Sequence, residues 1–350
     1  MDKPKVTSFH LPTKNMIKPT EIKNSGLAYM IDKENFPVLQ GETAYALEIW
    51  EDCMRLPHWH PNATELGYVV SGEIEIIIWR SPGETAMFTV SAGMCWFIPQ
   101  SALHSLNNIG KEKAVLLVGF STEIPQHMDL PVAMNGIPVA IRDVYTSPHA
   151  ELRQWTGVIS NPLLGAFPVN PDVKKVITGS PYGFDFAKVT PLFDDAKMGS
   201  VVWGVKSNWN ILEKISILRA TLKSNIARDP IWYPDAGTLY IVAKGRAHFH
   251  MISSGLDPIP FEVSYLDYIF VPVGVLHTFV NTATDDFEVI AFFPKADPQP
   301  EVSLSVATGF FPNTVRKAAL TQFAGENKTG DPLKVMNNTS KTPYLIRIKN

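Results

Sequence analysis

The stretch Arg55–Gly72, RLPHWHPNATELGYVVSG, returns later in the chain as Arg228–Gly245, RDPIWYPDAGTLYIVAKG. Arginine, two prolines, tryptophan, alanine, leucine, a valine and the closing glycine coincide at one offset, that from Arg55 to Arg228. The same offset carries Phe97–His104, FIPQSALH, onto Phe270–His277, FVPVGVLH, and Asn108 onto Asn281. A spacing held over this distance marks two copies of one unit. The expected division is a first domain over 1–170 and a second over 171–350, with a linker near Gly165 to Val176 in the proline- and glycine-bearing segment LLGAFPVNPDV.

Short apolar runs lie between the 28 prolines and 22 glycines of this 350-residue chain. Tyr68–Trp79, YVVSGEIEIIIW, and Leu239–Met251, LYIVAKGRAHFHM, read as pairs of short strands joined by tight turns. Helical periodicity is scarce, with Thr314–Gln322 as one short candidate. The pattern predicts an all-β fold of two tandem small barrels with short accessory helices. In GEIEIII, Ile74, Ile76 and Ile78 are expected to face the core and Glu73 and Glu75 the water.

Composition narrows the function. Hydrophobic residues make up 45% and charged residues 19%, as in a packed globular chain. The net charge of -3 excludes a general attraction to nucleic acid or an anionic membrane. No apolar run is long enough to span a bilayer, and MDKPKVTSFHLPTKN has no signal-peptide core, so a cytoplasmic location is expected. Cys53 and Cys95 are expected to be buried free thiols.

Within Arg55–Gly72, His58 and His60 stand at i and i+2 and share one face of a strand. Glu65 follows a short turn, and His104 comes from a later strand. Three imidazoles and a carboxylate make a borderline-hard set that suits Mn or Fe, and also Ni, Co or Zn. At the same offset the second copy holds Ile231, Tyr233 and Thr238, and only His277 remains. One transition-metal ion is therefore expected in the first copy and none in the second, where Tyr233 and His277 are expected to be a satisfied buried pair. His248 and His250, in HFH, share the outward parity of Glu75 and Ile77 and are expected at the surface or an interface.

These residues resemble the two motifs of the cupin superfamily. His58, His60, Glu65 and Gly72 match the first, and Pro99, His104 and Asn108 the second, with Ser101 where the motif has glycine. Pro272, Gly274, His277 and Asn281 match the second motif fully. The chain is thus similar to a bicupin, most of all to the oxalate decarboxylase branch. That resemblance implies a double-stranded β-helix (jelly-roll barrel) in each half and Mn-dependent chemistry on a small carboxylate, oxalate giving formate and carbon dioxide. It implies His58, His60, Glu65 and His104 as metal ligands, Arg55 facing substrate, dioxygen as co-catalyst or substrate, and assembly into homo-oligomers. The decarboxylases of that branch carry a serine-glutamate-asparagine triplet after the first barrel, and the segment GFSTEIPQHMDLP lacks it. Glu123 is the nearest candidate proton donor, with His127 and Asp129 also in reach. An oxalate oxidase, another cupin dioxygenase, an isomerase on a small acid or sugar, and a non-enzymatic storage or ligand-binding bicupin stand as alternatives.

Overall fold

The computed structural model describes residues 9–12, 17–22, 24–81, 84–146, 163–166, 179–252, 259–309, 312 and 344–348. The helix expected over Thr314–Gln322 lies outside them, as does the linker from 167 onward; Gly165 itself sits in a short strand. Two compact units emerge: Met1–Val189 with Gly204–Ile217 and Phe292–Asp297, and Thr190–Trp203 with Leu218–Ala291 and Pro298–Asn350.

The first unit contains β1 (His10–Pro12), β2 (Thr20–Ile22), β3 (Gly26–Met30), β4 (Thr43–Ile49), β5 (Cys53–Trp59), β6 (Glu65–Ser71), β7 (Glu73–Trp79), β8 (Thr85–Ser91), β9 (Met94–Ile98), β10 (Leu103–Asn108), β11 (Ala114–Phe120), β12 (Met128–Asp129), β13 (Leu164–Ala166) and β14 (Gly183–Asp185). The second is built on β15 (Phe193–Asp195), β16 (Gly199–Gly204), β17 (Ser216–Leu222), β18 (Ile226–Arg228), β19 (Ile231–Trp232), β20 (Thr238–Lys244), β21 (Arg246–Ile252), β22 (Ile259–Ser264), β23 (Asp267–Val271), β24 (Leu276–Asn281), β25 (Phe287–Phe293), β26 (Val302–Ser303) and β27 (Leu345–Arg347), although the end residues Gly204, Ser216, Ile217, Phe292 and Phe293 of β16, β17 and β25 count with the first. Among the described residues the α-helices are short: α1 (Leu130–Gly136), α2 (Val139–Thr146) and α3 (Leu304–Gly309). None is long and apolar enough to cross a membrane. The all-β expectation of two cupin-like barrels is met.

In the first unit one sheet runs β14-β9-β6-β11-β4-β3-β2 and the other β12-β5-β10-β7-β8, with β13 also on β5. The second follows a similar order, β23-β20-β25-β17-β16-β15 and β22-β21-β24-β18-β27, but the place of β5 is divided between β18 and β19, with β19 on β24 and β26 on β19. The central strand β11, AVLLVGF, is buried along its whole length and therefore reads as an unbroken apolar run. Ile74, Ile76 and Ile78 of β7 join Val69, Phe88, Trp96 and Leu116 in the core between the sheets. Glu75 departs from expectation. It is buried because β7 is an inner strand, and Asn107, directly opposite on β10, donates to its carboxylate at 2.9 Å. Cys53 and Cys95 are buried free thiols, and His248 and His250 lie on the outward parity of β21.

Gly72 closes the β6–β7 hairpin at φ +93, and a Cβ there would lie 2.7 Å from the Ala114 Cα. Gly245, its counterpart, has φ +76. The repeated glycine is thus a repeated turn that an L side chain fits poorly. Ser101 is the informative exception. It holds φ 62 where Gly274 holds φ 73, and its N–H donates to the His60 carbonyl at 3.1 Å, as Gly274 does to Tyr233 at 3.0 Å. The motif's missing glycine left the turn unchanged, at the cost of a left-handed serine. Ser101→Gly should therefore stabilise the protein by about 0.5–1 kcal/mol, read as an upward shift of the denaturant midpoint; an unchanged or lower midpoint refutes the strain.

Candidate metal centre

Glu65 opens β6 in one sheet, whereas His58 on β5 and His104 on β10 face each other in the other, directly paired in register. His60 lies one residue beyond β5. The strand-and-turn pattern thus brings residues from two sheets to one point. One ligand atom from each of the four lies within 4.8 Å of every other, and all four residues are buried. The His58 and His104 rings are 4.1 Å apart and those of His58 and His60 4.9 Å.

The hydrogen bonds behind these rings decide their chemistry. His58 Nδ1 lies 2.7 Å from the Leu56 carbonyl, His60 Nδ1 3.0 Å from that of Gln126, and His104 Nδ1 2.9 Å from that of Ala102. A carbonyl only accepts, so each Nδ1 carries a proton and each ring turns its Nε2 inward. Two of those nitrogens meet Glu65 Oε2, at 3.0 Å from His60 and 3.2 Å from His104. Lone pairs facing a carboxylate need a proton or a cation between them. The donor set therefore fits a divalent transition metal. Electrostatics agree. Burial, then the charges of Arg55, His104 and His60, hold His58 well below its ordinary pKa. Burial pushes Glu65 up, but His104 and His60 outweigh it and hold the carboxylate well below its usual range.

The other Glu65 oxygen, Oε1, accepts from Trp96 Nε1 at 2.8 Å. Trp96 reaches it by lying across Gly67, its cross-strand neighbour, where a Cβ would come within 2.0 Å of the indole. Sequence reasoning missed this pair, yet the repeat contained its signal. At the shared offset, Gly67 and Trp96 become Tyr240 and Ile269, again opposite each other on β20 and β23. The bulk has crossed to the other strand. There the Tyr240 hydroxyl lies 2.7 Å from His277 Nε2, while His277 Nδ1 is anchored on the Val275 carbonyl at 2.9 Å. A phenolic proton in the second copy meets the nitrogen that the first copy turns toward Glu65. His277 and Tyr233 are both satisfied, but not by each other; their rings are 6.1 Å apart and Tyr233 donates to Glu301 at 3.1 Å.

Arg55 is buried with the ligands. Its Nη1 donates to the Asp129 carboxylate and, at 2.9 Å, to the Leu163 carbonyl. Arg55, His58, His60 and Glu65 line one small cavity of about 10 Å³ together with Tyr45, Phe120 and His127. His127 meets the Tyr45 hydroxyl at 3.2 Å, and burial followed by the charges of His60 and Arg55 pulls its pKa down to about 3. Glu123 does not line this cavity and pairs instead with Lys33 at 3.2 Å.

Two measurements follow from this geometry. Trp96→Phe removes the bond to Glu65 while keeping an aromatic ring and should weaken metal affinity by roughly 10–100-fold, read by competition with a chelator; unaltered affinity would show that Glu65 is held by packing alone. Burial, the first cause, pulls His277 down to about 4, below its unfolded value near 6.5. The unfolded chain then binds the extra proton, so stability falls as pH drops from about 6.5 toward 4, by about 1.4 kcal/mol per unit from this group. His277→Gln should flatten the pH dependence of unfolding by that slope, and an unchanged slope refutes the neutral buried imidazole.

Comparison with known proteins agrees with this geometry. The family described as Cupin matches residues 15–145 and again 198–328. Oxalate decarboxylase OxdC of Bacillus subtilis is 29% identical over 136 residues, 39% of this chain and 34% of that protein. Spherulin-1A of Physarum polycephalum is 29% identical over 119 residues, 33% of this chain and 48% of that protein, and oxalate oxidase 1 of Hordeum vulgare is 32% identical over 83 residues, 23% and 41%. The matches thus span less than half the length of these relatives. Among solved structures, the DEL162-163 mutant of Bacillus subtilis oxalate decarboxylase OxdC superposes with a TM-score of 0.82 at 17% identity, covering 99% of this chain and 91% of that one. The chain belongs to the cupin family, as a bicupin whose fold is similar to that of oxalate decarboxylase.

Proposed function

We propose that this bicupin is a metal-dependent enzyme acting on a small carboxylic acid at His58, His60, Glu65 and His104, with the cleavage of oxalate to formate and carbon dioxide as its reaction. The observation that carries this reading is the trio of Nδ1-anchored imidazoles aimed at one carboxylate beside a buried arginine. Mn or Fe bound there supplies Lewis acidity and one-electron chemistry.

The protein's own residues do the rest. Arg55 presents a guanidinium to a ligand carboxylate. The apolar walls of the cavity, Leu47, Leu106, Val118 and Phe120, exclude water and strengthen every charge interaction inside. Loss of carbon dioxide from a singly protonated oxalate leaves a carbon that must gain a proton to become formate, and the placement of that proton separates decarboxylation from oxidation. Of the three nominated side chains in Ser121–Asp129, His127 is the one beside the cavity, while Glu123 is engaged with Lys33 and Asp129 with Arg55. In this reading His127, backed by the Tyr45 hydroxyl, takes the proton-handling role in place of Glu123.

A second reaction, oxidation of oxalate by dioxygen to two carbon dioxides with reduction of the dioxygen to hydrogen peroxide, is favoured by one observation: His127 is held neutral, with a pKa of about 3, and a neutral imidazole is a weak acid. The deciding experiment measures metal content on protein purified without added metal, beside His58→Ala/His60→Ala, and then scores formate against peroxide from oxalate. About one Mn or Fe per chain, lost in the variant, with formate as product, is the expected result. Peroxide without formate selects the oxidase. A chain that takes up no metal overturns the enzyme reading in favour of a storage or binding protein, and two ions per chain overturn the metal-free second copy.

A further inference from the structure

The arginine that starts the repeat has the same job in both copies. Arg55 Nη1 donates to the Leu163 carbonyl at 2.9 Å and Arg228 Nη1 to the Tyr344 carbonyl at 2.7 Å. Leu163 and Tyr344 both have positive φ, 51 and 104, and each precedes a short strand that pairs with the arginine's own strand: Leu164 opposite Arg55, Leu345 opposite Arg228. Each arginine also holds a carboxylate from a second short strand or its edge. Asp129 ends β12, which pairs with β5 at Trp59 and His58. Glu301 immediately precedes β26, which pairs with β19. The second copy keeps this clamp although three of the four ligand positions are replaced there, so the clamp's common role is to tie two segments across one end of the barrel.

The copies differ in whether the clamp is saturated. In the second, Arg228 Nη2 donates to both Glu301 oxygens and the Tyr233 hydroxyl adds a third bond. In the first, Arg55 Nη2 and Asp129 Oδ2 are buried with no partner among the described residues. A buried guanidinium donor and a buried carboxylate oxygen left open are costly, and proteins rarely keep them without use. Their consequences show in the charges: burial outweighs Asp129 and lowers the Arg55 pKa, whereas at Arg228 burial, the largest single cause, is outweighed by Glu301, Tyr233 and Tyr240 together and the pKa is raised. The open clamp belongs to the copy with the ligand set, and Arg55 lines the cavity beside His58, His60 and Glu65. At about 10 Å³ that cavity has room for about one water and none for a carboxylate group. A ligand enters only if something leaves.

We propose that Asp129 is an exchangeable latch: its carboxylate holds Arg55 in place of a ligand's, and an incoming small carboxylate displaces it, releasing the His127–Asp129 segment from β5 and enlarging the cavity. The ligand's two oxygens then occupy Nη1 and Nη2 together, the parallel fork that Asp129 leaves half used. The latch makes a carboxylate the entry requirement and lowers affinity for every ligand, because the internal carboxylate competes from its tethered position. This deepens the functional reading above and rests on it only for the chemical class of the ligand.

The sign of one affinity change tests it. Oxalate and acetate are titrated calorimetrically into the protein as purified, into Asp129→Asn and into Asp129→Asn/Arg55→Lys. Removal of the competing charge should tighten both anions about tenfold in Asp129→Asn, and adding Arg55→Lys to that variant should lose the gain. Amide exchange on the wild type reads the same event without mutation. Saturating oxalate should speed exchange at Met128 and Asp129 and leave Ile74–Ile78 unchanged. Equal or weaker binding in Asp129→Asn, binding of neither anion to any of the proteins, or slower exchange at Met128 and Asp129 overturns the latch. Should Asp129→Asn fail to fold, the wild-type exchange alone decides. Tighter binding with faster exchange but neither formate nor peroxide keeps the latch and overturns the oxalate chemistry; turnover with unchanged affinity does the reverse.

Discussion

Three hydrogen bonds from imidazole Nδ1 to main-chain carbonyls are the constraint on which this molecule depends. They fix which ring nitrogen each histidine turns inward, and two of those nitrogens, on His60 and His104, meet Glu65. Two sheets pin the members of the cluster from opposite sides, Glu65 from one and His58 and His104 from the other. His58 and His104 are register partners, and the Gln126 carbonyl fixes His60 from the segment that leaves the barrel. The centre is thus written into the backbone as much as into the side chains.

The second copy shows what the same framework does without that demand. Its strand order is preserved, and its one remaining histidine keeps the same Nδ1 anchor. The exchange of Gly67 and Trp96 for Tyr240 and Ile269 moves bulk across a strand pair while the core stays filled, the kind of compensated change that close-packed interiors accept. In one arrangement the large side chain reaches back to hold a carboxylate ligand; in the other it reaches forward to satisfy the histidine.

Buried charge follows the same logic. Arg228 and Glu301 are a pair in which both carboxylate oxygens are engaged, and it holds segments together. Arg55 and Asp129 are an incomplete pair beside the buried His58, His60, Glu65 and His104 cluster. Breaking a buried pair is expensive unless another charge takes the vacated place, so an incomplete pair is one that a ligand of the right charge can enter.

Much of this was legible in the chain itself. The offset from Arg55 to Arg228 exposed two copies, the strand period placed His58 and His60 on one face, and the loss of three ligands at Ile231, Tyr233 and Thr238 distinguished the halves. These are local or repeated patterns, and periodicity reports them directly. The parts that stayed hidden depend on partners distant in sequence. Glu75 looked solvent-facing because its alternation is outward, and only its neighbour Asn107 on β10 explains its burial. Glu123 looked like the proton donor because it is near in the chain, whereas the turn carries His127 to the cavity and leaves Glu123 with Lys33. Arg55 looked like a free substrate contact until its clamp on Asp129 and Leu163 appeared. Which residues share a face is a property of sequence spacing; which charges are already spoken for is set by chain segments 74 and 108 residues apart, and the fold alone brings those together.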